Sequence, residues 1–287
     1  MPVFAASHPS LLPTDGSFVP LSEPFPHIIR SPAVSPDYYR NLAAAFPEPA
    51  VILGRRDGKM NNAAARLPFI RVHDNSGIAE IWRDFFDYHT SEMFWHDILA
   101  NFATYFHQRF PLAETLAGKA FADWRIAPRG GDKSADAWID CQFVINTAVT
   151  KESSVKTVHV DKRNTMLSGL FYLRDERDEI AGGDLCLYKW RRDPRFLKHR
   201  MILSADLEQV RTIKYDANLF VGFVNDSFAA HAVSPRGMTS IPRRYINLIV
   251  ETKADLFDLP PVSRWVQVWH WRNVRRTGYR SLGGDRR

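Results

Sequence analysis

Short apolar runs separated by turn-forming residues fill the second half of the chain. Each run has the length of a single strand, and a Gly-Gly turn, a polar Asn-Asp-Ser break or a loop rich in Pro, Gly and Ser lies between them. Short strands punctuated in this way are typical of a β-sandwich or barrel. The predicted strands span 166–174, 184–190 and 218–224, a short segment carrying His231, and 244–251.

The first half of the chain favours helices. A short helix is predicted over 37–46, stopped by Pro47, and Ser76 is a candidate N-cap for a second helix that runs to about Tyr88. Apolar residues between 93 and 106 recur every three or four positions, which predicts a long amphipathic helix that ends before Pro111.

These patterns divide the chain into four parts. The first fifty residues hold ten of the 18 prolines, which favours an irregular arm at the N-terminus rather than regular structure. We therefore predict an irregular arm over 1–35, a helical elaboration over 36–135, a strand-rich core over 136–255 and a basic, aromatic tail over 256–287.

His159-Val160-Asp161 and the later His231 are candidate metal ligands. In an extended segment residues i and i+2 point to the same side, so His159 and Asp161 can reach one metal. Intervening strands can fold His231 back beside them. Two imidazoles and one carboxylate are the ligand set of a mononuclear non-haem iron(II) site, and three protein ligands leave positions open for other groups.

The order of these features resembles the 2-oxoglutarate- and iron(II)-dependent oxygenases, in particular their prolyl-hydroxylase-like branch. The resemblance covers roughly 138–252. It consists of His-x-Asp, an apolar strand ending in Tyr-Leu, a Gly-Gly turn with Leu two residues on, a phenylalanine-rich strand, His-x-Val-x-Pro, and Arg-Tyr opening the last strand.

The resemblance implies a mainly β, α+β protein with a double-stranded β-helix (jelly-roll, cupin-like) core and N-terminal helices packed outside it. It implies that His159, Asp161 and His231 bind iron(II), that Arg244 holds the distal carboxylate of 2-oxoglutarate, and that Tyr172 hydrogen-bonds the same carboxylate. Oxygen would be the second co-substrate, and ascorbate a possible stimulant. Because Asp161 is a carboxylate, hydroxylation is favoured over halogenation.

The loop 236–242 is a few residues longer than is usual in the family, which leaves Arg243 and Arg244 as alternatives. If a hairpin turns near residues 238–239, His231 lies opposite Ile246, and Arg244 shares its face at a distance of about 6.6 Å, one two-residue repeat. This register predicts Arg244 inside with Ile246 and Arg243 outside, and a slip of one residue would exchange the faces.

The substrate is predicted to be a small polar or sugar-containing metabolite. Asn146 and Thr147, before the metal motif, and Trp190 and Arg191, after the Gly-Gly strand, are candidates to line the site. A protein side-chain hydroxylase of prolyl type is the alternative, and a nucleobase demethylase or a non-catalytic metal-binding sensor is less favoured.

Length and composition agree with one compact enzyme, which is expected to be cytoplasmic. The chain has 287 residues, 45% of them hydrophobic, and contains no apolar run of membrane-spanning length. Cys141 and Cys186 are expected to be buried, reduced thiols. The net charge of +6 raises the possibility of nucleic-acid binding by the tail, but packing of Trp265, Trp269 and Trp271 against the core is favoured instead. The oligomeric state is left open.

Overall fold

The computed structural model describes residues 10–14, 18–54, 60–197 and 202–268. Its α-helices, in chain order, are α1 (Pro36–Ala44), α2 (Pro49–Leu53), α3 (Glu80–His89), α4 (Glu92–Arg109) and α5 (Ala113–Ala117). Its strands are β1 (His27–Arg30), β2 (Ala64–Pro68), β3 (Ile126–Pro128), β4 (Ala137–Asn146), β5 (Thr165–Tyr172), β6 (Leu185–Trp190), β7 (Leu207–Ile213), β8 (Leu219–Val224), β9 (His231–Val233) and β10 (Arg243–Thr252).

Within the described ranges, seven strands form the larger sheet, in the order β1-β8-β5-β10-β4-β2, with β3 pairing with β4 in parallel. The long strand β10 lies at its centre, antiparallel to β4 on one side and β5 on the other. Tyr245 of β10 stands opposite Val144 of β4 and Tyr172 of β5. Side chains at such directly paired positions share one face of the sheet.

The smaller sheet has the order β7-β6-β9 and faces the larger one. A buried apolar cluster joins the two sheets, with Leu187 and Ile213 from the smaller sheet packed with Val144, Val221 and other residues of the larger. The mixed structure is therefore strand-rich, as predicted from the sequence.

Helices cover the opposite face of the larger sheet. Trp82 and Phe86 of α3 pack on Phe143 of β4, with ring centroids 5.0 and 4.6 Å apart. The alternating residues Ile246 and Leu248 of β10 are buried in the same cluster. The aromatic residues of the helices therefore form core, as their spacing indicates.

Several local predictions are corrected. Strand β1 lies inside the arm that was expected to be irregular, and β2 and β3 lie inside the helical elaboration. Helix α3 begins at Glu80 with Ala79 as its N-cap, so Ser76 does not cap it.

The expected hairpin is also wrong, because β9 pairs with β6 and not with β10. The loop after β9 crosses from the smaller sheet to the larger one. His231 consequently stands opposite Leu187 rather than Ile246.

Both cysteine thiols are buried and free. No helix in the described ranges is long and apolar enough to span a membrane. Trp265 is 84% exposed, contrary to the packing expected for it. Trp269, Trp271 and the tail arginines from Arg272 onward lie outside the described residues.

Gly182 lies where the turn before β6 meets the segment that follows β9. Its φ is +89°, and a Cβ at this position would lie 1.8 Å from the carbonyl oxygen of Pro235. Only glycine avoids this overlap while adopting a positive φ.

We expect Gly182→Ala to lower the free energy of unfolding by on the order of 3 kcal/mol or more, because backbone atoms must move. Gly118→Ala is the matched control, since Gly118 also has a positive φ (+70°) but no atom within 4 Å of the added Cβ. It should cost about 1–2 kcal/mol. Denaturant unfolding measures both, and equal losses would contradict the proposed overlap.

Candidate active site

His159, Asp161 and His231 converge between the two sheets. One ligand atom from each of the three residues lies within 4.8 Å of the other two. Nε2 of His159 is 3.5 Å from Oδ1 of Asp161, and Nε2 of His231 is 3.8 Å from Oδ2. The sequence-predicted residues are thus brought together, with spacings suited to an ion between them.

Backbone carbonyl groups set the orientation of both imidazoles. Nδ1 of His159 lies 2.8 Å from the carbonyl oxygen of Thr157, and Nδ1 of His231 lies 2.9 Å from that of Ala229. A carbonyl oxygen can only accept, so each Nδ1 carries the proton. This tautomer places the Nε2 lone pair toward the cluster, as a metal ligand requires.

The protonation states also suit a cation. Burial, together with the adjacent His231, lowers the pKa of His159 to about 3. Burial alone would raise the pKa of Asp161, but the neighbouring His231, His159 and Lys156 outweigh it and hold that pKa well below its usual value. At neutral pH His159 is therefore neutral and Asp161 is ionised.

Ser168 and Asn225 fix Asp161. The hydroxyl of Ser168 donates to Oδ2 of Asp161 at 2.7 Å, and the backbone N–H of Asp161 donates to Oδ1 of Asn225 at 3.0 Å. The amide of Asn225 in turn donates to the carbonyls of Lys162 and Thr165. The loop that carries Asp161 is thereby anchored to the end of β8 and the start of β5.

Of the two candidate arginines at the start of β10, Arg243 rather than Arg244 faces this cluster. It is 2% exposed and lines the same cavity as the three candidate ligands. Its guanidinium carbon lies 5.0, 4.8 and 4.6 Å from the ring centroids of Tyr172, Tyr215 and Tyr245, and Nη1 donates to Oδ1 of Asn146 at 3.3 Å.

One edge of the Arg243 guanidinium has no protein partner among the described residues. Its Nε and Nη2 are both buried without a hydrogen bond, and so is the hydroxyl of Tyr172. Burial raises the pKa of Tyr172, so the hydroxyl remains a donor. Leaving three donors and a positive charge buried without partners is energetically costly, and a bound anion would remove that cost.

Arg244, favoured by the sequence analysis, lies on the opposite face of the sheet. Its Nε donates to the carbonyl of Leu173, its Nη2 is 3.4 Å from Asp175, and its guanidinium lies over the ring of Phe46. The alternation along β10 was predicted correctly, but the apolar face packs against the helices and the polar face lines the cavity.

The residues expected to contact substrate mostly lie elsewhere. Asn146 supports Arg243, whereas the hydroxyl of Thr147 bonds to the backbone of Met60 and Ala63. Trp190 packs on Phe196, and Arg191 bonds to the carbonyl of Leu207. Thr147, Trp190 and Arg191 do not line the cavity.

The cavity has a volume of about 450 Å³ and a mixed lining. Leu170 and Phe223 provide apolar surface near the candidate ligands, and Gln142, Ser168 and Asn247 provide polar groups. Sequence reasoning missed these polar residues. Ser168 could have been predicted from the alternation along β5, because it lies four residues before Tyr172 and therefore on the same face of the strand.

Comparison with known proteins gives structural likenesses only. No family model matches the sequence, and no curated protein matches it. Similar solved structures include the 2-oxoglutarate complex of dioxygenase for auxin oxidation 1 from Arabidopsis thaliana (TM-score 0.42, 14% identity, 83% of this chain and 89% of that chain covered). The rice dioxygenase for auxin oxidation has a TM-score of 0.41 and 15% identity, with 88% of this chain and 86% of that chain covered. A Pseudomonas putida prolyl-4-hydroxylase has a TM-score of 0.39 and 14% identity, with 79% of this chain and 93% of that chain covered. With every one of these TM-scores below 0.5, the functional interpretation depends on the geometry of the site.

If Ser168 positions the Asp161 carboxylate, Ser168→Ala should weaken binding of a divalent metal by about 10- to 100-fold. Calorimetric titration with Mn(II) would measure the change. Ser91→Ala is the control, since Ser91 is the N-cap of α4 and its loss should cost stability without changing metal affinity. Equal metal affinity in Ser168→Ala and the wild type would contradict the positioning role.

Proposed function

We propose that this protein is an iron(II)- and 2-oxoglutarate-dependent oxygenase that hydroxylates an unactivated C–H bond of a small polar metabolite. The observation that carries the proposal is the presence, in one cavity, of a His-Asp-His cluster and a buried arginine with an unpaired hydrogen-bonding edge. The two facing sheets would then be a double-stranded β-helix core.

The candidate ligands fit iron(II). Two imidazoles and a carboxylate form the ligand set of non-haem iron oxygenases, and three ligands leave positions free on the metal. Zinc accepts similar donors, but a zinc site gives no reason for a buried, unpaired arginine beside it.

The opposite end of the cavity fits a carboxylate. Nε and Nη2 lie on the same edge of a guanidinium, so Arg243 presents two parallel donors, which is the geometry that binds a carboxylate in a bidentate manner. The Tyr172 hydroxyl adds a third donor. A dicarboxylate bound by Arg243 at one end and by the metal at the other would satisfy all three.

When bound, iron and 2-oxoglutarate would supply, with oxygen, the oxidising chemistry for C–H hydroxylation. The protein's residues would orient these groups and exclude water. His159, Asp161 and His231 would hold the metal, while the tyrosines around Arg243 and the apolar Leu170 and Phe223 would shield the co-substrate. The cavity volume lies in the range of small-molecule sites, and its polar lining supports a polar substrate.

Turnover of 2-oxoglutarate in the absence of substrate tests the proposal. Purified protein supplied with Fe(II) and oxygen should convert 2-oxoglutarate slowly to succinate. His159→Ala, Asp161→Ala and His231→Ala should each abolish the conversion with the fold retained. Conversion that does not require iron, or that survives in any of these variants, would refute the assignment.

Arg243 and Arg244 form a matched pair of adjacent arginines on opposite faces of β10. Arg243→Ala should weaken 2-oxoglutarate binding by about 2–5 kcal/mol, as for other desolvated charge pairs. Arg244→Ala should change it little, because Arg244 contacts Asp175 and Phe46 instead. Titration of the metal-loaded protein with 2-oxoglutarate measures both affinities, and the reverse pattern would show that Arg244 binds the co-substrate.

A further inference from the structure

The cavity holds more positive charge than the proposed co-substrate needs. Among the described residues, five cationic side chains line it, against two carboxylates, Asp161 and Glu251. Binding of a divalent cation and a dicarboxylate together would leave this excess unchanged. The cationic residues are Arg66, Arg129, Lys156, Lys162 and Arg243.

Three of these cations lie near carboxylates of the protein. Arg129 is 3.1 Å from Glu251 and 3.7 Å from Asp140, and Lys162 is 3.6 Å from Glu251. Lys156 is 3.7 Å from Asp161. Arg243 is the proposed partner of 2-oxoglutarate.

Arg66 is the remaining cation. Its guanidinium forms no hydrogen bond or ion pair with any residue in the described part of the chain, and the side chain is exposed at the cavity edge. On strand β2 it stands opposite Val144 of β4, which stands opposite Tyr245 of β10. Directly paired residues share a face, so Arg66 lies on the same side of the sheet as Arg243.

The register also gives the approximate position of Arg66 relative to the co-substrate arginine. Arg243 is paired with Asn146 of β4, which is paired in turn with Ala64 of β2. Arg66 lies two residues after Ala64, which is about 6.6 Å along the strand direction. It lies two strands across from β10, or about 10 Å. A molecule that enters from the β2 edge would therefore pass Arg66 before reaching the candidate metal site.

We propose that the substrate carries a carboxylate or phosphate group and that Arg66 is the residue that selects for it. The inference rests on the proposed oxygenase function and refines its substrate class. The planar guanidinium suits both anions through paired hydrogen bonds. The net positive lining of the cavity would favour entry of an anion over a neutral molecule of the same size.

Three compounds with one carbon skeleton test the proposal: glycerol, glycerate and glycerol 3-phosphate. Each is titrated calorimetrically into the anaerobic wild-type protein with Fe(II) and saturating 2-oxoglutarate, so that Arg243 is already occupied. At least one of the two anions should bind about tenfold more tightly than glycerol, and its affinity should fall as salt is added. Which anion is preferred distinguishes a carboxylate from a phosphate.

Variants of Arg66 identify the residue responsible. Arg66→Gln should lose most of the preference for the anion, and Arg66→Lys, which retains the charge, should recover part of it. Arg71→Gln is the matched control, since Arg71 is an exposed arginine close in sequence that does not line the cavity. It should leave the preference unchanged.

Equal affinity of the wild type for all three compounds would overturn the proposal. An anion preference that persists in Arg66→Gln would overturn the role of Arg66. Failure of the oxygenase assignment would be seen separately, as wild-type protein that does not convert 2-oxoglutarate to succinate.

Discussion

The backbone bridge between His159 and His231 is the contact on which the site depends. The N–H of each residue donates to the carbonyl of the other, at 3.0 and 2.9 Å. Because β9 also pairs with β6, the bridge attaches the His159 segment to the smaller sheet. It brings together two imidazoles from distant parts of the sequence with their ring centroids 4.2 Å apart. Asp161 then reaches the same point from two residues further along.

The central strand β10 packs against the helices on one face and lines the cavity on the other. Ile246 and Leu248 point to the helices and form part of the main apolar core, whereas Arg243, Tyr245 and Asn247 point to the cavity. The helices cover one face of the strand, and the smaller sheet packs over part of the other. A polar face in a covered position is stable only if its groups find partners, and in this fold some of those partners are expected to be ligands.

The sequence was sufficient to predict the strands around the site and the convergence of its two histidines with Asp161. These features rest on local patterns: apolar runs of strand length, a Gly-Gly turn and an i, i+2 spacing. Strands β1, β2 and β3 were missed because they are only three to five residues long and are stabilised by pairing with distant segments. Strand β7 was missed because its five central residues are exposed, so it lacks an apolar alternation.

The faces on which Arg243 and Arg244 lie could not be predicted correctly because that required the sheet partners of β9. Assigning β9 and β10 to one hairpin gave the wrong face. It also assumed that the more apolar face of β10 surrounds the site. The helices in fact take that face, and an alternation pattern alone does not say which layer lies on which side. Thr147, Trp190 and Arg191 likewise lie away from the cavity, because a position next to the metal motif or the Gly-Gly strand in sequence does not fix a position in space.

The tyrosines that surround Arg243 also affect the selectivity of the site. An arginine side chain normally samples many rotamers, and fixing it on binding costs affinity. With three aromatic rings within about 5 Å of its guanidinium and Asn146 holding Nη1, that freedom is already lost in the folded protein. An anion bound by Arg243 would therefore meet a rigid receptor rather than one that adapts to it. If a diacid bridges Arg243 and a metal held by the candidate ligands, the fixed separation of the two would favour one chain length over shorter or longer ones.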